Sequence, residues 1–278
     1  MKKWLVTLAL LLTTMVLAAC GESDGTAEEV YTKALEASEE MESAEVDMEM
    51  TQEMMIPGET ESMTMESEMA GSMVMEPLAM HQKGVISIDM GEMSDVPMEM
   101  EQEIYLVDNE MYMFDSMSNQ WMKMDDSMIP MEALNSQQMD ASEQLSMLEE
   151  YMKELNFEEA EDEYVLNLSA DGEGIKEMSK ELINDVIPED ITAQLGEDVS
   201  KVLENMEITT LTFDISIDKD TYQMTNYNMN MDMTIAQDGE EMNIKQEVKT
   251  TYKNINTIDH IEVPQEVKDS AVDGLGLE

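Results

Sequence analysis

The side chains that could carry chemistry here are thioethers and carboxylates. The chain has 34 methionines, 64 acidic residues, two histidines and one cysteine in 278 residues. Thioethers offer two chemistries: soft ligation of Cu(I), and a deformable, polarisable apolar surface. A copper site needs its ligands concentrated, but Met-x-Met pairs recur along most of the chain, as in Met48-Glu-Met50, Met63-Thr-Met65, Met98-Glu-Met100, Met111-Tyr-Met113 and Met229-Asn-Met231-Asp-Met233. His81 and His260 stand far apart, without a cysteine or a His-x-x-x-His spacing beside them. Three readings of the methionines stay open: ordinary core, lining of a cavity that accepts apolar ligands, and Cu(I) binding.

The remaining chemistry narrows quickly. No Gly-x-Ser-x-Gly elbow, phosphate loop or His-Glu-x-x-His helix is present, and paired carboxylates carry no signal among so many acids, so a non-catalytic protein is expected. Asn167, Ser169, Asp171 and Gly172 fall at calcium-loop offsets, but Met178 stands where a bidentate glutamate is required. No metal or cofactor is expected. All basic residues are lysines, so the bidentate arginine clamp for phosphate or carboxylate is missing. With a formal charge of −50 the chain lacks the basic face that nucleic acid demands, and its body is repelled by anionic lipid. The acids are spread along the chain, which fits adaptation to a salty or alkaline exterior better than cation capture.

Cys20 follows Leu17-Ala18-Ala19, after Lys2-Lys3 and an apolar run from Trp4 to Leu17 that is shorter than the about 20 residues needed to span a bilayer. This segment resembles the lipobox of bacterial lipoproteins. The resemblance implies that residues 1–19 are a signal peptide and that the Cys20 thiol receives a diacylglyceryl group and becomes the N-terminus. Two acyl chains give stable anchoring where one gives only marginal attachment. The expected product is a lipid-anchored protein at the outer face of a cell membrane, with a tether over 20–26. No disulfide can form within it.

The elements that must position the methionines follow from periodicity. Thr26-Ala-Glu-Glu29 is a capping box, and Val30, Ala34, Leu35, Ser38 and Met41 predict a helix over 27–42. From Val46 onward the period is two, with acids opposite Met48, Met50, Met63, Met65, Ile86, Ile88, Met98, Met100, Met111 and Met113. Turn material at Pro57-Gly58, His81 to Gly84, Gly91 to Pro97, Asp108-Asn109 and Ser116 to Asn119 divides this stretch into a meander of about six strands. Helices with Leu145, Leu148 and Met152 (141–155) and with Ile175, Met178 and Leu182 (172–187) flank a short strand at Tyr164 to Leu168, and act as a lid. Three further strands carry Ile208 to Ile217, then Met229, Met231 and Met233, then Met242 to Tyr252. Trp121 and Tyr112 read as cross-strand packing. One α+β domain over 27–278 results, a curved sheet of nine to ten strands with helices on its concave face.

Three segments then carry a family resemblance: Asn109-Glu-Met-Tyr112-Met-Phe-Asp with Gln120-Trp121-Met-Lys123, Phe213-Asp-Ile-Ser-Ile217-Asp218-Lys219-Asp-Thr221-Tyr222, and Ile261-Glu-Val-Pro264-Gln-Glu-Val267. They resemble hairpins and the closing segment of Gram-positive lipoproteins with a LolA/LppX/LprG-like half-barrel. The resemblance implies an apolar cavity able to hold acyl chains, lined by the alternating residues named above. The functions it leaves standing are carriage of a lipid or other amphiphile, or an envelope lipoprotein that binds a protein partner.

Overall fold

The computed structural model describes residues 26–55, 57, 62–91, 94, 96–116, 118–125, 141–146, 148, 151, 155–170, 206–237 and 240–273. Helix α1 spans Ala27–Glu39, and strands β1 to β6 span Ser43–Met55, Met63–Val74, Ala79–Asp89, Met98–Val107, Glu110–Asp115 and Gln120–Asp125. Helix α2 (Ala141–Ser146) precedes β7 (Asn156–Glu159), β8 (Glu163–Ala170), β9 (Met206–Asp218), β10 (Met224–Gln237) and β11 (Glu240–Lys253). Helix α3 (Gln265–Ser270) and β12 (Val272–Asp273) follow. All the described strands join one 12-stranded sheet in the order β12-β6-β5-β4-β3-β2-β1-β11-β10-β9-β8-β7. Neither end of that order meets the other, so the curved sheet stays open. Every pairing is antiparallel except β12 on β6.

Local chemistry sets the element ends. Thr26 Oγ1 accepts from the Glu29 amide at 3.2 Å and Glu29 Oε2 accepts from the Thr26 amide at 3.0 Å, which satisfies two of the free donors that begin α1. The helix stops at Glu39, three residues before the expected end. The Glu40 amide turns back to the Glu36 and Ser38 carbonyls, and residue 43 already pairs in the sheet. Asp108 and Asn109 both have positive φ, 54° and 59°, the geometry of a two-residue hairpin between β4 and β5. Asp218 Oδ1 gathers the Asp220 amide and the Thr221 amide and hydroxyl within 3.0 Å, closing the β9–β10 turn. Those bonds, led by the Thr221 amide, hold the Asp218 carboxyl below the usual carboxylate range.

Several expectations need correction. His81 to Gly84 is not a turn but the middle of β3. His81 and Lys83 point to the polar side opposite Tyr105 and Glu103, while the reversal lies at residues 75–78. Among the described residues the sheet has twelve strands, because Asn156–Glu159 and the two-residue Val272–Asp273 add an edge at each side. Helix α2 ends at Ser146. Beyond it Leu148 and Tyr151 bond back three residues, to the Leu145 and Leu148 carbonyls, a tighter winding than the α-helix expected to 155. The proposed helix over 172–187 lies outside the described residues.

Both described helices in the first two thirds of the chain pack on one side of the sheet. Val30, Tyr31 and Ala34 of α1 and Ala141 and Leu145 of α2 share a core with Leu166, Leu168, Leu211, Phe213, Ile215, Tyr227 and Tyr252. Tyr31 donates from its hydroxyl to the Leu145 carbonyl at 2.6 Å, and Tyr252 donates to Gln144 Oε1 at 3.0 Å, so α2 is tied to both α1 and β11. Among the described residues these helices cover the β7–β11 half and the start of β1. No described helix is long and apolar enough to cross a membrane.

Candidate ligand-binding face

Strand register settles which side chains share a face, because directly opposed residues point the same way. One transverse row runs Leu168, Phe213, Met229, Val248, Met50, Ser67, Ile86, Met100. The next runs Leu211, Met231, Gln246, Gln52, Met65, Ile88, Met98, and a third holds Ile208, Met233, Ile244, Met54 and Met63. On the other side of the first row, Met48 and Met69 lead to Gly84 and Gln102. Beyond them, Gln82 leads to Ile104, Met113 and Met122. The last row joins Ala44, Met73, Met80, Leu106, Met111 and Met124. Thirteen side chains expected to line a cavity thus lie on one face of the sheet: Met48, Met50, Met63, Met65, Ile86, Ile88, Met98, Met100, Met111, Met113, Met229, Met231 and Met233. A register shift beside Ile208 keeps it and Leu211 on that face although they are three residues apart.

Burial across this face is uneven. Leu166 and Phe213 are 0% and 1% exposed, whereas Met98 at the other end of its rows is 46% exposed. Met48, Met50, Met63, Met65, Ile86, Ile88 and Met100 are half-buried. Met80, Leu106 and Met111 form a separate small core. The two lid residues within the described segment, Leu145 and Leu148, are fully buried in the main core, where they act as filling. Met152, Ile175, Met178, Leu182 and Cys20 lie outside the described residues.

Alternation does not reveal the polar members of the face. Gln52, Gln246, Gln102 and Ser67 occupy apolar-side positions, and the Gln246 and Gln102 amides donate to Met50 Sδ at 3.5 Å and Met113 Sδ at 3.9 Å. Their signal was present as uncharged residues where the period demands an apolar one. The strand lysines 83, 123, 245, 249 and 253 all fall on the opposite face, so no described strand lysine joins this one.

The opposite face has a structural cluster of its own. The His81 ring stacks on Tyr105 at 4.1 Å between centroids, and Tyr105 also meets Trp121, which in turn meets Phe114. Glu103 collects His81 at 3.0 Å, Lys83 at 3.4 Å and the Tyr105 hydroxyl at 3.2 Å. Burial works to raise the Glu103 carboxyl, but these partners outweigh it and hold it low. Burial and the Glu103 charge push Tyr105 up to about 12. Trp121 lies opposite Phe114 and Tyr112 opposite Lys123, and both belong to one small apolar cluster on this face, which is the packing role expected of them. Val263 and, in α3, Val267 cover the cluster, which therefore serves to dock the C-terminal segment.

The fold and its site define an open antiparallel sheet with one acidic side and one methionine-rich side partly filled by helices. A model of the family described as "Family of unknown function (DUF6612)" matches residues 26–272, and the chain belongs to that family. No curated protein matches it. Among solved structures it is similar to the lipoprotein LppX of Mycobacterium tuberculosis, at 10% identity and a TM-score of 0.40, covering 86% of this chain and 100% of that one. A LolA superfamily protein from Nitrosomonas europaea matches at 10% identity and TM-score 0.21, covering 87% and 97%. A DUF1329 family protein from Desulfovibrio piger matches at 8% identity and TM-score 0.25, covering 85% and 95%.

Proposed function

We propose that this protein is a non-catalytic, membrane-anchored extracytoplasmic lipoprotein that binds a lipid or other amphiphile along its methionine face. The observation that carries the reading is the half of that face whose side chains stay half-buried or exposed, continuous with a half that is packed solid. Burying an acyl chain there contributes about 0.8 kcal/mol per methylene. Unbranched thioether side chains re-pack around chains of different length at small cost. Acylated Cys20 provides the anchor, and the acidic opposite face keeps the body off an anionic bilayer.

Native mass spectrometry of protein purified from membranes, before and after organic extraction, tests the reading. Extractable adducts of lipid mass, restored by adding back the extract, are expected. A ligand-free protein that takes up no amphiphile would remove the proposal.

A further inference from the structure

Across their strand pairs, many methionines of this face oppose apolar side chains, as Met48 does Met69, Met54 does Met63 and Met100 does Ile86. Met50 and Met113 have different company. The Gln246 amide donates to Met50 Sδ at 3.5 Å, and the Gln102 amide donates to Met113 Sδ at 3.9 Å. The two contacts share one geometry. Each glutamine lies on the neighbouring strand, two residues from the methionine's direct partner, which is Val248 for Met50 and Ile104 for Met113. On the other side of β1, Ser67 stands directly opposite Met50 and brings a hydroxyl to the same face. Both sulfurs belong to half-buried residues that small solutes can reach, whereas Met41, Met80, Met111 and Met224 are buried in the cores. Thioether sulfur is a weak acceptor, so an amide aimed at it has bonding capacity to spare.

Building on the amphiphile reading, we propose that Met50 and Met113 are sites of oxidation to the sulfoxide by a peroxide, and that their oxidation loosens the hold of the face on its ligand. In the reaction with hydrogen peroxide, the Sδ lone pair attacks one peroxide oxygen and the S–O bond forms as the O–O bond breaks. The departing hydroxide takes the proton of the transferred oxygen and leaves as water. Sulfur loses two electrons and the peroxide gains them. A sulfoxide oxygen formed on an apolar surface without a donor is left unsatisfied. At Met50 and Met113 an N–H is already in place to receive it, and the same N–H stabilises the negative charge that grows on oxygen as the O–O bond parts. The consequence falls on binding, because a sulfoxide replaces a flexible apolar side chain by a polar one and disrupts methionine-rich surfaces. The main core under α1 and α2 is chiefly branched and aromatic, so the fold outlasts the change.

The test exposes the full chain to limiting hydrogen peroxide and follows each methionine by peptide mass spectrometry. Met50 and Met113 are expected to react about fivefold faster than Met63 and Met100, which are half-buried on the same face. Gln246→Leu should slow Met50 alone and Gln102→Leu should slow Met113 alone, with circular dichroism checking that each variant is folded. The comparison within the parent chain needs no variant. Rates that follow exposure only, or a glutamine substitution that leaves its own methionine's rate unchanged, would overturn the assignment. Calorimetric titration with dodecyl maltoside, below its micelle-forming concentration, reads the consequence. The oxidised parent is expected to bind about tenfold more weakly than the untreated chain, and a Met50→Leu, Met113→Leu chain treated alike is expected to keep its affinity. Equal affinities before and after oxidation would overturn the loosening. An untreated chain that binds no dodecyl maltoside, with the order of oxidation as expected, would overturn the amphiphile reading and leave the two oxidation sites standing.

Discussion

The two halves of the apolar face use different side chains for the same purpose. On β8 and β9 the positions hold Tyr164, Leu166, Leu168, Leu211, Phe213, Ile215 and Ile217, all but completely buried against α1 and α2. On β1, β2 and β4 the equivalent positions hold Met48, Met50, Met54, Met63, Met65, Met69, Met98 and Met100, half-buried or exposed. Rigid branched and aromatic side chains suit a partner of fixed shape, because they lose little freedom on packing and fit one surface well. Methionine, with three rotatable bonds, suits a surface whose partner changes. Side-chain stiffness therefore marks where the core is finished.

Mutations can break that contrast. Phe213→Ala should cost about 3–5 kcal/mol in urea unfolding, while Met65→Ala should cost clearly less, since little fixed packing surrounds it. Equal costs would mean that both halves are filled cores. Gly84→Ala should cost about 1–3 kcal/mol. A Cβ there would lie 1.9 Å from the Glu68 carbonyl oxygen, on the methionine half where β2 and β3 crowd together. A loss near zero would show that this half yields even at the backbone. The smallest effect belongs to the opposite side. Glu110 accepts from Lys123 at 2.5 Å and from the Tyr112 hydroxyl at 2.9 Å, and these bonds lower its pKa from 4.5. A depressed carboxyl contributes stability above its unfolded pKa and loses it as pH falls through the folded value. Glu110→Gln should therefore destabilise by less than about 1 kcal/mol at neutral pH and flatten the decline below about pH 4.5. An unchanged acid limb in thermal melts would show that this group adds nothing.

Much of the sheet was legible because period-two alternation of methionine against acid is strong, and turn residues such as Asp108-Asn109 are chemically specific. The quartet His81 to Gly84 misled because polar residues within a strand resemble a turn when only composition is read. His81 and Lys83 are polar as members of the acidic face, and Gly84 is small as a point of close approach. Strands β7 and β12 are too short to show a period. The junction of residues 40–43 with 256–258 was not legible at all, because it forms only in the folded chain, where β1 pairs with β11 and Asn256 accepts the Glu42 and Ser43 amides.

That pairing has a consequence for how the chain reaches its native state. Glu45 lies opposite Lys253 in the centre of the sheet, so the first strand to be synthesised waits for nearly the last before both its neighbours exist. Until then the hairpins from β1 to β6 present an open hydrogen-bonding edge beside a greasy flank. Folding limited by such a distant closure is slow, and its waiting species is prone to self-association. The dense negative charge strung along those same strands supplies the repulsion that keeps nascent copies apart.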